Sequence, residues 1–281
     1  MKVMVFGKTG QVSKELGRFP DTICLDRSDA DLRNPTACGE IIRSIKPDAV
    51  INAAAYTSVD QAEKEEALAT VINAKAPEMI AQVCAKLGIP LVHLSTDYVF
   101  DGFLDRPYRT DDVTNPLGGY GRSKLKGEIA VINAYADAVI LRTSWVFSAH
   151  GSNFLRTMLR LSKEHDHLRI VADQKGGPTS AKSIAKACMD IVSKAGQGKG
   201  IFHFSGALDT TWAEFAEAVF RTAKRTVFVE KIRTSDYLTP ARRPLNSRLD
   251  CSYLATSFGI SRPDWQQDMM DVMLELKGED W

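Results

Sequence analysis

The 281-residue sequence predicts an α/β protein, a Rossmann-type doubly wound parallel sheet with a smaller mixed α/β substrate lobe. Two observations lead there. Short apolar runs alternate with amphipathic helical stretches through the first half of the chain, the pattern of right-handed βαβ units whose sheet is covered on both faces. A glycine turn also follows the first apolar run directly, where such a sheet opens its first helix.

Residues 2–6 read as a short buried strand stopped by Gly7, and residues 11–16 as a helix. Residues 22–25 form a second apolar run ending in Asp26, residues 35–46 a helix after a polar turn, and residues 49–53 a third strand. A long stretch rich in Ala, Glu and Lys, residues 59–86, predicts a helix broken at Pro77, with a strand following at 90–94. Residues 117–134 are again helical and 138–144 a strand. The rhythm then loosens: helices are expected at 153–161, 181–192 and 211–222, and short strands at 201–204 and 227–229. The tail carries Pro240, Pro244 and Pro263, and no linker-like stretch divides the chain.

Charge excludes one class of partner. Lys and Arg number 36 against 35 Asp and Glu, a net charge of +1, which does not suit a nucleic-acid coat. No apolar run reaches the ~18–20 residues that span a bilayer, so no membrane is expected and the cytoplasm is the expected compartment. Cys24, Cys38, Cys84, Cys188 and Cys251 are scattered and odd in number, which predicts free thiols and neither a disulfide framework nor a zinc site.

Four features carry chemistry. In Gly7-Lys8-Thr9-Gly10-Gln11-Val12-Ser13, Gly7 can adopt positive φ, Gly10 lets main chain approach a phosphate, and the amides opening the helix face a diphosphate. The spacing departs from G-x-G-x-x-G, and Ser13 stands where a third glycine would sit. Asp26 lies near the ~20-residue offset at which a carboxylate meets an adenosine ribose; Arg27 beside it suits a 2′-phosphate, leaving NADH against NADPH open. Asn52-Ala53-Ala54-Ala55 ends the third strand with small side chains. Tyr120-x-x-x-Lys124 places a phenol and an ammonium on one helix face, downstream of Ser95-Thr96-Asp97, whose Thr96 hydroxyl can donate to a carbonyl oxygen as hydride arrives. Singly, these also read as a turn, a polar strand end, core packing and a wet helix face. In this order they specify a dinucleotide-dependent reductase, with residues 1–148 as the NAD(P)-binding domain carrying Tyr120 and Lys124, and residues 149–281 as mainly a substrate lobe whose chain is free to cross back.

The blocks GKTGQV, NAAAYTSVDQAE, STDYVFDG, Tyr120-x-x-x-Lys124, LRTSWVF, DQKGGPTS and ARRPLNSRLD run through nearly the whole length. With them the chain resembles the dTDP-4-dehydrorhamnose reductase family of extended short-chain dehydrogenases/reductases. The resemblance implies NAD(P)H-dependent reduction of the 4-keto group of dTDP-4-dehydro-6-deoxy-L-mannose to dTDP-L-rhamnose, the last step of that sugar-nucleotide pathway. It implies Tyr120 as proton donor, Lys124 on its pKa and on the nicotinamide ribose, Thr96 on the keto oxygen, and Asp97 and Trp145 around the sugar. It assigns Gly10, Gln11 and Val12 to the diphosphate, Asp26, Asp31 and Leu32 to the adenosine end, and Ala53, Ala54, Ala55, Tyr56 and Thr57 to the middle of the cofactor, beside the Gly7 and Arg27 that the residues themselves suggest. It allows a monomer or homodimer, and magnesium at the subunit contact as in some members; no residue here is matched to that metal.

Arg242 and Arg243 suit a clamp on the substrate diphosphate, or equally a solvated turn. His165-x-His167 is expected in a surface turn, His93 in the core, and Glu63, Lys64, Glu65 and Glu66 on the wet face of a helix. Alternatives to the reductase are a nucleotide-sugar 4-epimerase or dehydratase with tightly held NAD, and a non-catalytic regulatory subunit related to that of methionine adenosyltransferase. A dehydratase calls for paired carboxylates beside Thr96, whereas Tyr98 follows Asp97; a regulatory subunit predicts loss of Thr96, Tyr120 and Lys124, all of which are present.

Overall fold

A computed structural model describes residues 1–276. The first half alternates as the apolar runs require: β1 (Val3–Phe6), α1 (Gln11–Leu16), β2 (Thr22–Leu25), α2 (Pro35–Ile45), β3 (Ala49–Asn52), α3 (Glu66–Thr70), α4 (Ala76–Leu87), β4 (Leu91–Thr96), α5 (Gly119–Ala134) and β5 (Val139–Thr143). The second half runs β6 (Val146–Phe147), α6 (Phe154–Glu164), β7 (His167–Val171), β8 (Lys175–Gly176), β9 (Thr179–Ser180), α7 (Ala181–Ser193), β10 (Gly200–His203), β11 (Thr210–Thr211), α8 (Trp212–Thr222), β12 (Phe228–Ile232), α9 (Ser252–Phe258) and α10 (Trp265–Glu275).

Six strands form one parallel sheet in the order β10-β5-β4-β3-β1-β2. β1, β3 and most of β4 and β5 are buried along their whole length, which is why they read as continuous apolar runs. One face packs side chains of α2, α4 and α5, including Ile42, Ile80, Cys84 and Val131. The other packs α1, α7 and α9, including Leu16, Ile184, Cys188 and Phe258. The chain order reverses between β1 and β3, so Gly7 and Asn52 end neighbouring strands at the switch point where ligands enter such sheets.

Beyond residue 148 the chain divides its contributions. α7, β10 and α9 belong to the sheet and its cover, whereas α6, α8 and α10 enclose a separate core with Phe215, Phe220 and Trp265 beside the parallel pair β7–β12. Among the described residues no helix is long and apolar enough to cross a membrane, and all five cysteines are free thiols.

Three local expectations need correction. Residues 59–86 are not one helix broken at Pro77 but a short 3₁₀ turn, α3, a π-helical turn Val71–Lys75 and α4, with Pro77 in the first turn of α4. Pro77 has no amide to give the Asn73 carbonyl, and the π turn accommodates the missing bond. His165-x-His167 is not a turn: His167 starts β7 and bonds Glu230 of β12. Nor are Glu63–Glu66 only a wet face, since Glu63 accepts from the Gly119 amide at the start of α5, Glu65 from Tyr56 Oη, and Glu66 pairs with Arg122 and Lys126.

A polar chain runs through the interior. Glu128 of α5 takes Arg142 of β5 in a two-pronged ion pair (2.6 and 2.9 Å), both side chains being 2% exposed. Ser95 of β4 donates to Glu128, Arg142 lies 3.3 Å from His203 of β10, and His203 reaches the Tyr108 carbonyl. Removing one member strands a buried charge, so Glu128→Ala is expected to cost about 3–5 kcal/mol, read as a fall in urea midpoint without a change in slope.

Candidate active site

A cavity of about 840 Å³ opens along the carboxyl ends of β1, β3 and β4. Its floor begins at Gly7, whose φ is +108°; a Cβ there would lie 3.1 Å from Ala54, just past the end of β3. Gly10 caps α1 without any side-chain hydrogen bond, so the first amides of the helix face the cavity uncapped. Ser13 is tolerated behind them, 1% exposed, with its hydroxyl buried and without a hydrogen-bond partner among the described residues.

Asp26, Arg27, Asp31 and Leu32 form one end of the cavity. Hydrogen bonds from the Ser28 side chain and amide hold the Asp26 carboxyl down at about 2, and Lys8 stands 3.4 Å from its Oδ2. Ala53, Ala54, Ala55, Tyr56 and Thr57 form the middle. This loop is clamped by Asn73 in the π turn, whose side chain accepts from the Tyr56 amide at 2.8 Å and donates to the Tyr56 carbonyl and to Ser123 of α5.

At the other end stand Thr96, Asp97, Tyr120, Lys124 and Trp145. Glycines let α5 press close enough to bring its residues there: a Cβ at Gly121 would lie 2.2 Å from the Tyr98 carbonyl, and one at Gly127 1.9 Å from that of Asn73. Burial pushes the Tyr120 phenol up to about 12, against a hydrogen bond with Thr96 that lowers it, and the charge of Asp97 raises it further. Burial draws the Lys124 ammonium down to about 8. Lys124 donates to the Leu94 carbonyl at 2.7 Å and lies 3.5 Å from His93, so here it is turned to the β4 backbone and not to the phenol. His93 is buried as expected, bonded through Nδ1 to Asn52, and burial beside Lys124 keeps it well below its usual range.

Trp145 has a φ of +48° and stacks on Trp212 at 3.6 Å, with its ring pressed against Gly176, where a Cβ would come within 2.5 Å. Trp212, Ile72, Thr143 and the Gly151-Ser152 turn also line the cavity and were not singled out in the sequence. They arrive from separate segments, and no local spacing marks them.

The structure thus gathers every candidate of the sequence reading except two. Neither Arg242 nor Arg243 lines the cavity. Arg242 is exposed, and Arg243 is held by Asp60 at 3.0 Å and by the Ala241 carbonyl. A guanidinium already paired with a carboxylate is not free to clamp a diphosphate.

Comparison with known proteins agrees with this arrangement. The family model described as the RmlD substrate binding domain matches residues 1–277. The chain is 43% identical to the dTDP-4-dehydrorhamnose reductase of Sinorhizobium fredii over the full length of both, and 39% identical to that of Escherichia coli over 98% of each. The crystal structure of a dTDP-4-dehydrorhamnose reductase from Clostridium acetobutylicum superposes with a TM-score of 0.93 at 33% identity, covering 99% of this chain and 100% of that one. One from Bacillus anthracis, solved in complex with NADP, gives a TM-score of 0.93 at 33% identity over 98% and 100%.

Asp97 makes the site costly to fold. Burial raises its carboxyl from 3.8 to about 7, so the unfolded chain loses that proton first. Its contribution to stability is complete below pH ~4 and is lost as pH rises to ~7. Asp97→Asn is therefore expected to be more stable than the parent by on the order of a few kcal/mol at pH 8 and by little at pH 4, measured by denaturant unfolding at both.

Proposed function

The chain belongs to the dTDP-4-dehydrorhamnose reductase family, and on that premise we propose that it reduces the 4-keto group of dTDP-4-dehydrorhamnose to dTDP-L-rhamnose at the expense of NADPH or NADH. The observation that carries this reading is the convergence of Thr96, Tyr120 and Lys124 on a single cavity whose opposite wall is the Gly7–Val12 turn.

The residues fit a nicotinamide dinucleotide. Gly7 leaves a cradle that a Cβ would fill, the uncapped amides of α1 suit a diphosphate, and Asp26 marks the adenosine end. Asp26 suits a free 2′-hydroxyl, while Arg27 and Lys8 suit a 2′-phosphate. A bound reduced nicotinamide supplies the hydride that reaches the keto carbon. Tyr120 holds its proton at neutral pH and gives it to the keto oxygen as negative charge develops there, because an alkoxide is a stronger base than a phenolate. Thr96 donates to the same oxygen and orients it. Lys124, swung from the Leu94 carbonyl towards ribose hydroxyls, would bring its cation to the phenol and ease proton release. Trp145, backed by Trp212, gives the sugar a flat apolar wall.

Magnesium has no part in this scheme. Glu15, His150 and Glu275 bring ligand atoms within 4.8 Å of one another, but Arg18 sits among them, 3.3 Å from Glu15, 3.2 Å from His150 and hydrogen-bonded to Glu275. Its guanidinium already balances the two carboxylates, and an imidazole ligand does not suit a cation that prefers oxygen. Among the described residues, this cluster does not fit the ion.

Incubation with dTDP-4-dehydrorhamnose is expected to oxidise one equivalent of NADPH or NADH per sugar reduced; turnover without net cofactor oxidation would overturn the reading in favour of an internal redox cycle. Tyr120→Phe is expected to lower kcat by roughly 10²–10⁴-fold while cofactor affinity, followed by fluorescence titration, stays within a few-fold.

A further inference from the structure

The Thr96 hydroxyl has one proton to donate. It donates to Asp97 Oδ1 at 3.0 Å, while the Tyr98 amide occupies one of its lone pairs at 3.2 Å and the Tyr120 phenol, whose pKa Thr96 lowers, stands beside it. While Asp97 is a carboxylate it takes the Thr96 proton, and Thr96 has nothing left to donate to a keto oxygen. Asp97 is itself 2% exposed, lines the cavity, and keeps its second oxygen buried without a hydrogen-bond partner among the described residues. A carboxylate with one naked buried oxygen is poorly placed; a carboxylic acid is not, because its O–H can turn to the Thr96 oxygen and the arrangement then needs no second partner.

We propose that Asp97 works as a neutral carboxylic acid that donates to Thr96 Oγ1, and so turns the Thr96 proton outward to the substrate keto oxygen. Asp97 is in this sense a positioning residue: it acts through Thr96 and is lost to the reaction when it ionises. The proposal rests on the reductase reading and assigns Asp97 a duty beyond holding the sugar.

The surroundings of Asp97 favour the neutral form. Burial pushes its carboxyl up to about 7; Thr96 and the amides of Asp97 and Tyr98 draw it back, as does the nearby Ser247 hydroxyl, which itself donates to the Lys175 carbonyl at 3.4 Å and leaves the second carboxyl oxygen without a bond. Two phenols face it, Tyr98 from the turn after β4 and Tyr120 from α5, and its charge raises both. The Arg243 guanidinium acts on Tyr98 while bonded to Asp60, and Lys124 lines the same cavity but is turned to Leu94.

The test is the pH profile of kcat/KM for reduction of dTDP-4-dehydrorhamnose between pH 5.5 and 9.5, in the parent and in Asp97→Asn. An amide N–H₂ donates to Thr96 as the protonated acid does but cannot ionise. The parent is expected to lose about tenfold per pH unit above neutrality, and Asp97→Asn to lose that limb and stay within about threefold up to the point where Lys124 titrates. An unchanged limb in the variant, or a folded variant dead at every pH, overturns the proposal. Carbon-13 NMR of the Asp97 carboxyl in the full chain with cofactor bound gives a readout that needs no turnover: titration near neutrality supports the proposal, and a carboxyl ionised throughout pH 5–9 overturns it. Failure of the parent to oxidise cofactor at any pH overturns the reductase reading instead, and the NMR arm still decides the state of Asp97.

Discussion

The ion pair between Glu128 and Arg142 is the constraint on which the working end of this molecule depends. Two charges this far from water persist only if each is fully paired, and here the pairing crosses four elements. Glu128 fixes α5, Arg142 fixes β5, Ser95 brings in β4, and His203 brings in β10 at the sheet edge. Lys124 is one turn before Glu128 on α5 and Tyr120 one turn before that. Locking Glu128 to the sheet therefore sets the rotation of the helix and with it the face that carries Tyr120 and Lys124. Glu128 also offsets, by its charge, part of the burial that draws the Lys124 ammonium down.

Close approach is the second condition. α5 touches its neighbours backbone to backbone at Gly119, Gly121 and Gly127, the last against the Asn73 carbonyl that Pro77 leaves without its helical partner. Pro77 follows the π turn in the first turn of α4 and has no amide to give the Asn73 carbonyl, at the point where α5 comes nearest. The same turn aims the Asn73 side chain at the loop around Tyr56. The loop around Tyr56 and helix α5 are tied through the buried Asn73 side-chain amide, which a regular helix with Pro77 at a break would not have placed there.

Much of this was legible in the chain. The alternation of apolar runs located the strands of the parallel sheet to within a residue or two through β5, because buried parallel strands leave no polar face to confuse the pattern. The glycine turn, Asp26, the small residues after Asn52 and the Tyr120–Lys124 spacing all proved to face one cavity, since each sits at the same end of consecutive strands or on the helix beside them. Where the reading went astray, the deciding partner was distant in sequence. Arg243 meets Asp60, Glu63 meets the Gly119 amide, and His167 pairs with a strand some 60 residues later; no local spacing announces such partners.

By itself, then, the sequence determined the sheet, the glycine turn after β1 and the side chains that line one cavity, because these follow from burial period and from short-range spacing along strands and helices. Only the tertiary structure decided their state. It turned Lys124 towards the Leu94 carbonyl, buried Asp97 so that its carboxyl rises to about 7, set Trp212 behind Trp145, and withdrew Arg243 from the cavity. Desolvation and charge pairing act through space, and the groups responsible come from segments that only folding brings together.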